Sequence, residues 1–169
     1  MANNVEFEDF SIEVKAALDD ITRAWLIETA NEVTAQAQRT CVLDDDAGKR
    51  LKGSYANVVD ENKGEAQVGT PLEEGYWEEW GTGEYAAHGD GRKGWWIYIP
   101  GQPSMGGGQS YSTREEAEKM AAYIKAAHGK TAIVTNGRRP NYTLENAFDT
   151  VKNPAIAQLE SLLKERMGT

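Results

Sequence analysis

The sequence predicts an α+β fold: a long N-terminal helix packed on a small, mostly antiparallel sheet, with a β-α-β insertion and a C-terminal helix. Three observations predict it. From Phe10 to about Arg39 there is no Gly or Pro, and apolar residues recur at helical spacing. Two strand-like runs, 54–59 and 65–69, flank a polar turn, and a strand, helix, strand alternation follows between residues 95 and 135. At 169 residues the chain has the length of one domain, so residues 1–169 are expected to fold as a single domain with an insertion at about 88–137. Its 40% hydrophobic content and fifteen aromatic residues exclude a disordered chain.

In the first helix Phe10, Val14, Leu18, Ile21 and Trp25 form one apolar row and Leu26, Ala30, Val33 and Ala37 a second. The step between the rows predicts a bend or rotation near Trp25 to Ile27. Asp44, Asp45, Asp46 and Gly48 predict a turn, and Lys49 to Lys52 a basic loop. Asp60 to Gly64 then closes a β-hairpin. Thr70-Pro71-Leu72-Glu73 reads as a helix start with Thr70 as N-cap, and the helix ends at Gly81-Thr82-Gly83. Residues 86–94 are too Gly-rich and polar for regular structure.

Trp95 to Ile99 reads as a strand ending at Pro100. Ser112 with Glu115 forms an expected capping box for a helix lined by Ala117, Met120, Ala121 and Ile124 and stopped by Gly129. Thr131 to Thr135 is the second strand, closed by Asn136-Gly137; paired directly, the two strands of such a unit would be parallel. Thr143 to Thr150 predicts a short helix with Leu144, Ala147, Phe148 and Val151 inward. Asn153-Pro154 opens a last helix with Ile156, Leu159, Leu163 and Met167 in one stripe.

A net charge of -9 disfavours duplex DNA and anionic lipid, so no sequence-specific nucleic-acid partner is expected. The charge is uneven, with net -13 over residues 1–90 and net +4 over 91–169, which would suit head-to-tail contacts between copies. The single cysteine, Cys41, excludes an internal disulfide and fits a reducing compartment. The N-terminus carries no signal-peptide pattern and no long apolar run exists, so neither export nor a membrane partner is expected.

Chemical motifs are sparse. His128-Gly129-Lys130-Thr131 ends like a phosphate-binding loop, but it follows a helix and enters a strand, the reverse of what that chemistry needs. His88 and Asp90 are too few donors for a metal site, and Asp44 to Asp46 break the calcium-loop pattern at Gly48 and Lys49. The pairs Glu73-Glu74 and Glu78-Glu79 read as a charged helix face; acid–base hydrolysis through Glu73, Glu78 or His88 is the minor alternative. Asn141-Tyr142-Thr143 is a glycosylation sequon without an export signal to give it meaning. The expectation is a non-enzyme, with no catalytic residue, cofactor or metal.

The surplus is aromatic. Tyr76, Trp77, Trp80, Tyr85, Trp95 and Trp96, with Tyr98, crowd into 23 residues and cannot all enter one core. The first six are the candidate partner interface, since exposed Trp and Tyr are enriched where proteins meet; partial burial under the Gly-rich loop is the structural alternative.

Lys49-Arg50-Leu51-Lys52-Gly53-Ser54 opening a hairpin, Val68-Gly69-Thr70, and Tyr76-Trp77-Glu78-Glu79-Trp80-Gly81-Thr82-Gly83 together resemble the tail-completion (head-to-tail joining) proteins of long-tailed bacteriophages. Pro140-Asn141-Tyr142-Thr143-Leu144 with Ala147-Phe148 is similar to that family's closing element, so the likeness covers about residues 10–85 and 138–167. The resemblance implies a structural virion protein of the phage neck, made in the host cytoplasm. Its copies would form a hexameric ring that completes the tail, with head connector and tail-tube proteins as partners. The alternative is a binding module that uses the aromatic surface of residues 76–98 for cell-wall glycan or a host protein.

Overall fold

The computed structural model describes residues 11–42, 46–100 and 108–168, and the side chains of 19–42, 48–100 and 108–168. The element order is α1 (Ser11–Thr40), α2 (Asp46–Ser54), β1 (Ala56–Asp60), β2 (Glu65–Gly69), α3 (Glu73–Trp80), β3 (Thr82–Gly83), β4 (Trp96–Tyr98), α4 (Arg114–His128), β5 (Ile133–Thr135), β6 (Gly137–Arg138) and α5 (Thr143–Met167). The fold is α+β with a long N-terminal helix and small antiparallel sheets. The strands pair two by two, β1 with β2, β3 with β6 and β4 with β5. They divide between two compact units, Met1–Pro71 with Leu144–Thr169, and Leu72–Thr143. No helix among the described residues is long and apolar enough to cross a membrane.

In the first unit α1 lies across both hairpin strands. Its second apolar row supplies the buried Ala30, Val33 and Ala37, with Cys41, Leu51 and Tyr55 completing that core. The small side chains let helix and sheet approach closely, and Thr34, buried between them, donates its hydroxyl to the Ala30 carbonyl at 2.8 Å. Asn57 reaches across from β1 to Asn31 and Thr34, both at 3.0 Å. From the other end of the chain, the Ala155 carbonyl accepts the Trp25 indole N–H at 2.7 Å. Phe10, Asp44 and Asp45 lie outside the described residues, as do the side chains of Val14 and Leu18.

Several expectations need correction here. Lys49 to Lys52 is helix, not loop: Leu51 is fully buried, so a turn of helix is needed to aim it inward while the lysines stay wet. α5 is one helix running through Pro154, where a break was expected. Ala147, Val151 and Ala155, the buried row, recur every four residues through the proline, and a break would take Ala155 out of that row. Keeping them buried offsets a proline cost of about 3 kcal/mol. That same row leaves Phe148, expected inward, 55% exposed, and Ile156 and Met167 of the expected stripe 50% and 58% exposed.

In the second unit β4 and β5 are antiparallel, with Trp96 opposite Thr135 and Tyr98 opposite Ile133, where a direct crossover would have made them parallel. The chain makes one more reversal between them than a direct crossover would. Tyr111 returns to pair with Trp95 at the start of β4, α4 then runs back, and β5 enters beside Tyr98. α4 is capped by Thr113 and Glu116, one residue later than the expected Ser112 and Glu115, and it ends as expected at Gly129 in the left-handed conformation (φ 63°). α3 likewise starts after the expected cap: Leu72 precedes it, and the Thr70 hydroxyl instead meets Ser54 at 2.6 Å.

By unit, the charge is not the polarity of the linear halves. The first unit holds eighteen acidic and ten basic residues and the second nine and eight, because the acidic stretch 73–90 folds with the basic one that follows it.

The hairpin turn gives a pH-dependent prediction. Asp60 sits at its first corner and its carboxyl is held below the ordinary value, chiefly by the Lys63 ammonium and then by the backbone N–H of Lys63, with that of Asn62 adding to it. A lowered value stabilises the folded turn above the ordinary 3.8 and loses that stabilisation as pH falls through the folded midpoint. A carboxyl-carbon NMR titration should therefore place Asp60 below 3.8, and Lys63→Ala should move it back up; a wild-type midpoint at or above 3.8 would refute this.

Candidate functional site

The candidate site is built on the C-terminal end of α3, a two-turn helix whose buried row is Gly75, Glu78 and Glu79. A helix leaves its last four carbonyls without intrahelical donors. Here each has one. Trp77 takes the Gly81 N–H at 3.0 Å, Glu78 that of Asn141 at 2.9 Å, Glu79 that of Tyr142 at 3.3 Å, and Trp80 that of Ala87 at 2.9 Å. Two of the four donors thus come from more than sixty residues further along the chain. Tyr142 reaches its place with φ 50°, the one positive value on a non-glycine among the described residues.

Beneath this layer the carboxylate of Glu78 is fully buried. Its Oε1 accepts from Asn141 Nδ2 at 3.2 Å and from the Thr143 hydroxyl at 3.3 Å. Its Oε2 faces Arg138 Nη2 at 2.6 Å, an ion pair rather than a well-aligned hydrogen bond. This corrects the reading of Glu78 and Glu79 as a solvated helix face: both are buried, while Glu73 is exposed. One signal in the sequence pointed to it. Gly75, Glu78 and Glu79 stand at i, i+3 and i+4, and a glycine on one helix stripe allows the close approach that buries the rest of that stripe.

Gly81 turns the chain out of α3 with φ 72°, and a Cβ there would stand 2.6 Å from the Arg138 carbonyl and 2.8 Å from the Pro140 nitrogen. β3 then pairs with β6, Gly83 opposite Gly137, so closely that a Cβ on Gly83 would collide with the Trp96 ring and the Asn136 carbonyl. Glu84 fastens the same loop by accepting from Asn136 Nδ2 at 3.0 Å.

The six aromatic candidates differ in exposure and in what covers them. Trp77, Trp80, Trp95 and Trp96 are half-buried, and Tyr76 and Tyr85 are exposed at 49% and 37%. Trp80 packs against His88 at 4.7 Å between ring centroids and meets Tyr142 edge-on at 6.1 Å. An arginine covers each of three others: Arg139 stands 4.9 Å over Tyr85, Arg92 5.2 Å over Trp96 and Arg114 5.6 Å over Trp95. His88 and Asp90 are both exposed, and no group of three potential metal ligands occurs among the described residues.

The socket can be tested by removing its anion. Glu78→Ala leaves Arg138, Asn141 and Thr143 without their shared acceptor and should lower stability by about 3 kcal/mol, while Glu78→Gln, which keeps one acceptor oxygen, should lose less. Gly81→Val forces both a positive φ and a clash with Pro140, and should cost at least roughly 1–3 kcal/mol. Thermal and denaturant melts check both; unchanged melts in Glu78→Ala or in Gly81→Val would remove the corresponding contact from this account.

No protein-family model, curated protein or solved structure significantly matches this chain, so the reading of the site rests on its own geometry.

Proposed function

We propose that the chain is a structural subunit of the bacteriophage neck, which assembles into a ring of six that completes the tail and meets the head connector on one side and the tail tube on the other. One observation supports the reading above the others. The two segments that resemble the tail-completion family, 76–83 and 140–144, are far apart in sequence, yet the carbonyls of Glu78 and Glu79 and the Glu78 carboxylate bind them into one built unit. A shared motif that consists of a helix end and the segment locked onto it has a structural job to do. In this reading that job is to present a rigid surface rather than to carry out a reaction.

The surface so presented has the composition of a protein interface. Tyr76 stands out of α3, and the exposed Tyr85 carries Arg139 on its ring. Tyr and Arg are the residues that most often dominate binding energy between proteins. The backbone of both is fixed, Tyr85 by its bond to Thr82 and Arg139 by its place next to β6, so little backbone freedom is lost on docking.

A phage carrying an early stop codon in this gene tests the proposal. The expected outcome is filled heads and finished tails that fail to join, or tails lacking their head-proximal ring, seen by electron microscopy, and no hydrolase activity in the purified protein. Intact virions that only adsorb poorly would overturn it and favour the aromatic surface as a site for glycan or a host protein.

A further inference from the structure

Away from the socket, α4 and the segment that precedes it line a shallow, open groove of about 520 Å³. One wall is the stretch Gln109 to Ser112; the other is a single face of α4, with Glu116, Lys119, Met120 and Tyr123 at i, i+3, i+4 and i+7. The buried face of α4 is a different one, carrying Ala117 and Ala121, so these four are not needed for the helix to pack. Tyr123 is 61% exposed and Met120 37%. We propose that this groove is a binding site for a neutral saccharide.

The lining selects that class over others. The two charged lining residues, Glu116 and Lys119, offset one another, and the nearby Arg92 is engaged by Ser110 and the Gly108 carbonyl, which leaves little net field for a phosphate or a nucleic-acid backbone. An extended peptide would need a free strand edge, but the N–H and carbonyl of Tyr111 both already pair with Trp95, at 2.7 and 2.9 Å. What the walls do offer is side chains: the Gln109 amide, the Ser112 hydroxyl and the Glu116 carboxylate provide both donors and acceptors, as the hydroxyls of a sugar require, beside a Ser110 hydroxyl that already accepts from Arg92 Nε at 2.8 Å. The rings of Tyr111 and Tyr123 supply apolar faces for the C–H side of a pyranose, with few rotamers to lose.

The walls are also preset. Tyr111 is tied to Trp95, just before β4, by its two backbone bonds, and Glu116 is held by its bond from the Thr113 N–H at 3.3 Å, which belongs to the cap of α4. No residue of the aromatic run 76–98 lines this groove, though Trp95 pairs with its wall residue Tyr111, and its occupancy does not depend on the neck reading.

Amide NMR on the labelled full chain, titrated with cellotetraose and with the tetramer of N-acetylglucosamine, tests it. At least one of the two should give saturable shifts confined to residues 109–123, with a Kd below about 1 mM. Tyr123→Ala should weaken binding about tenfold without changing the melt, since the side chain is mostly exposed, and Tyr123→Phe should retain it. The proposal is overturned if neither sugar saturates by about 10 mM, if the shifts map to Tyr76–Trp96, if Tyr123→Ala binds undiminished, or if inorganic phosphate occupies the groove more tightly than the sugars.

Discussion

The second unit depends on how α3 ends. A helix of eight residues has as many unpaired carbonyls at its C-terminus as it has internal hydrogen bonds, so it is worth little until something supplies donors. Gly81 and Ala87 supply two of them locally; Asn141 and Tyr142 supply the other two from the far end of the unit. The helix and the closing segment are therefore each incomplete alone. Because those donors arrive more than sixty residues later, everything in between must return the chain to the same point. The pairing of β3 with β6, and of Gly83 with Gly137 within it, is how it returns.

This explains why the glycines of the unit cluster. Gly81, Gly83, Gly91 and Gly137 all face backbone at distances that leave no room for a Cβ. A side chain at Gly81, Gly83 or Gly137 would push apart the two chain segments that β3 and β6 bring together, whereas one at Gly91 would meet only the nearby Gly83 and Ala86. Residues 86–94 carry no helix or strand, as their composition predicts, and within them Gly91 packs against the Gly83 carbonyl, while Trp96 fills the space on the other side of Gly83.

How much of this was legible in the sequence follows from how local each cause is. The long helix, the hairpin with its Asp60 and Gly64 corners, and the Gly129 stop of α4 are set by neighbouring residues, and their patterns announced them. The misreadings share a different origin. Leu51 pulls the basic run into a helix through burial, the row Ala147, Val151, Ala155 carries α5 past Pro154, and the doubling back at Tyr111 reverses the expected strand direction. Each is decided by contacts distant in sequence, which propensity cannot see. The Glu78 socket is the extreme case, since its partners Arg138, Asn141 and Thr143 have no local relation to it, and only the Gly75 spacing hinted at burial.

The burial pattern of α3 runs against simple hydrophobic logic: the row facing inward carries Gly75 and two glutamates, while Tyr76 faces out. Apolar residues in place of a buried ion pair often leave a protein as stable or more so, hence the Glu78–Arg138 pair is a costly way to gain stability alone. What a buried, hydrogen-bonded carboxylate does enforce is position. Glu78 has acceptor directions that only Asn141, Thr143 and Arg138 satisfy together, so the closing segment has one register against α3 and not several. That register fixes Arg139, the next residue after Arg138, over the ring of Tyr85. An outward aromatic and arginine held this firmly from below is the arrangement expected where a surface must match a partner repeatedly, and on it rests the case for an assembly role.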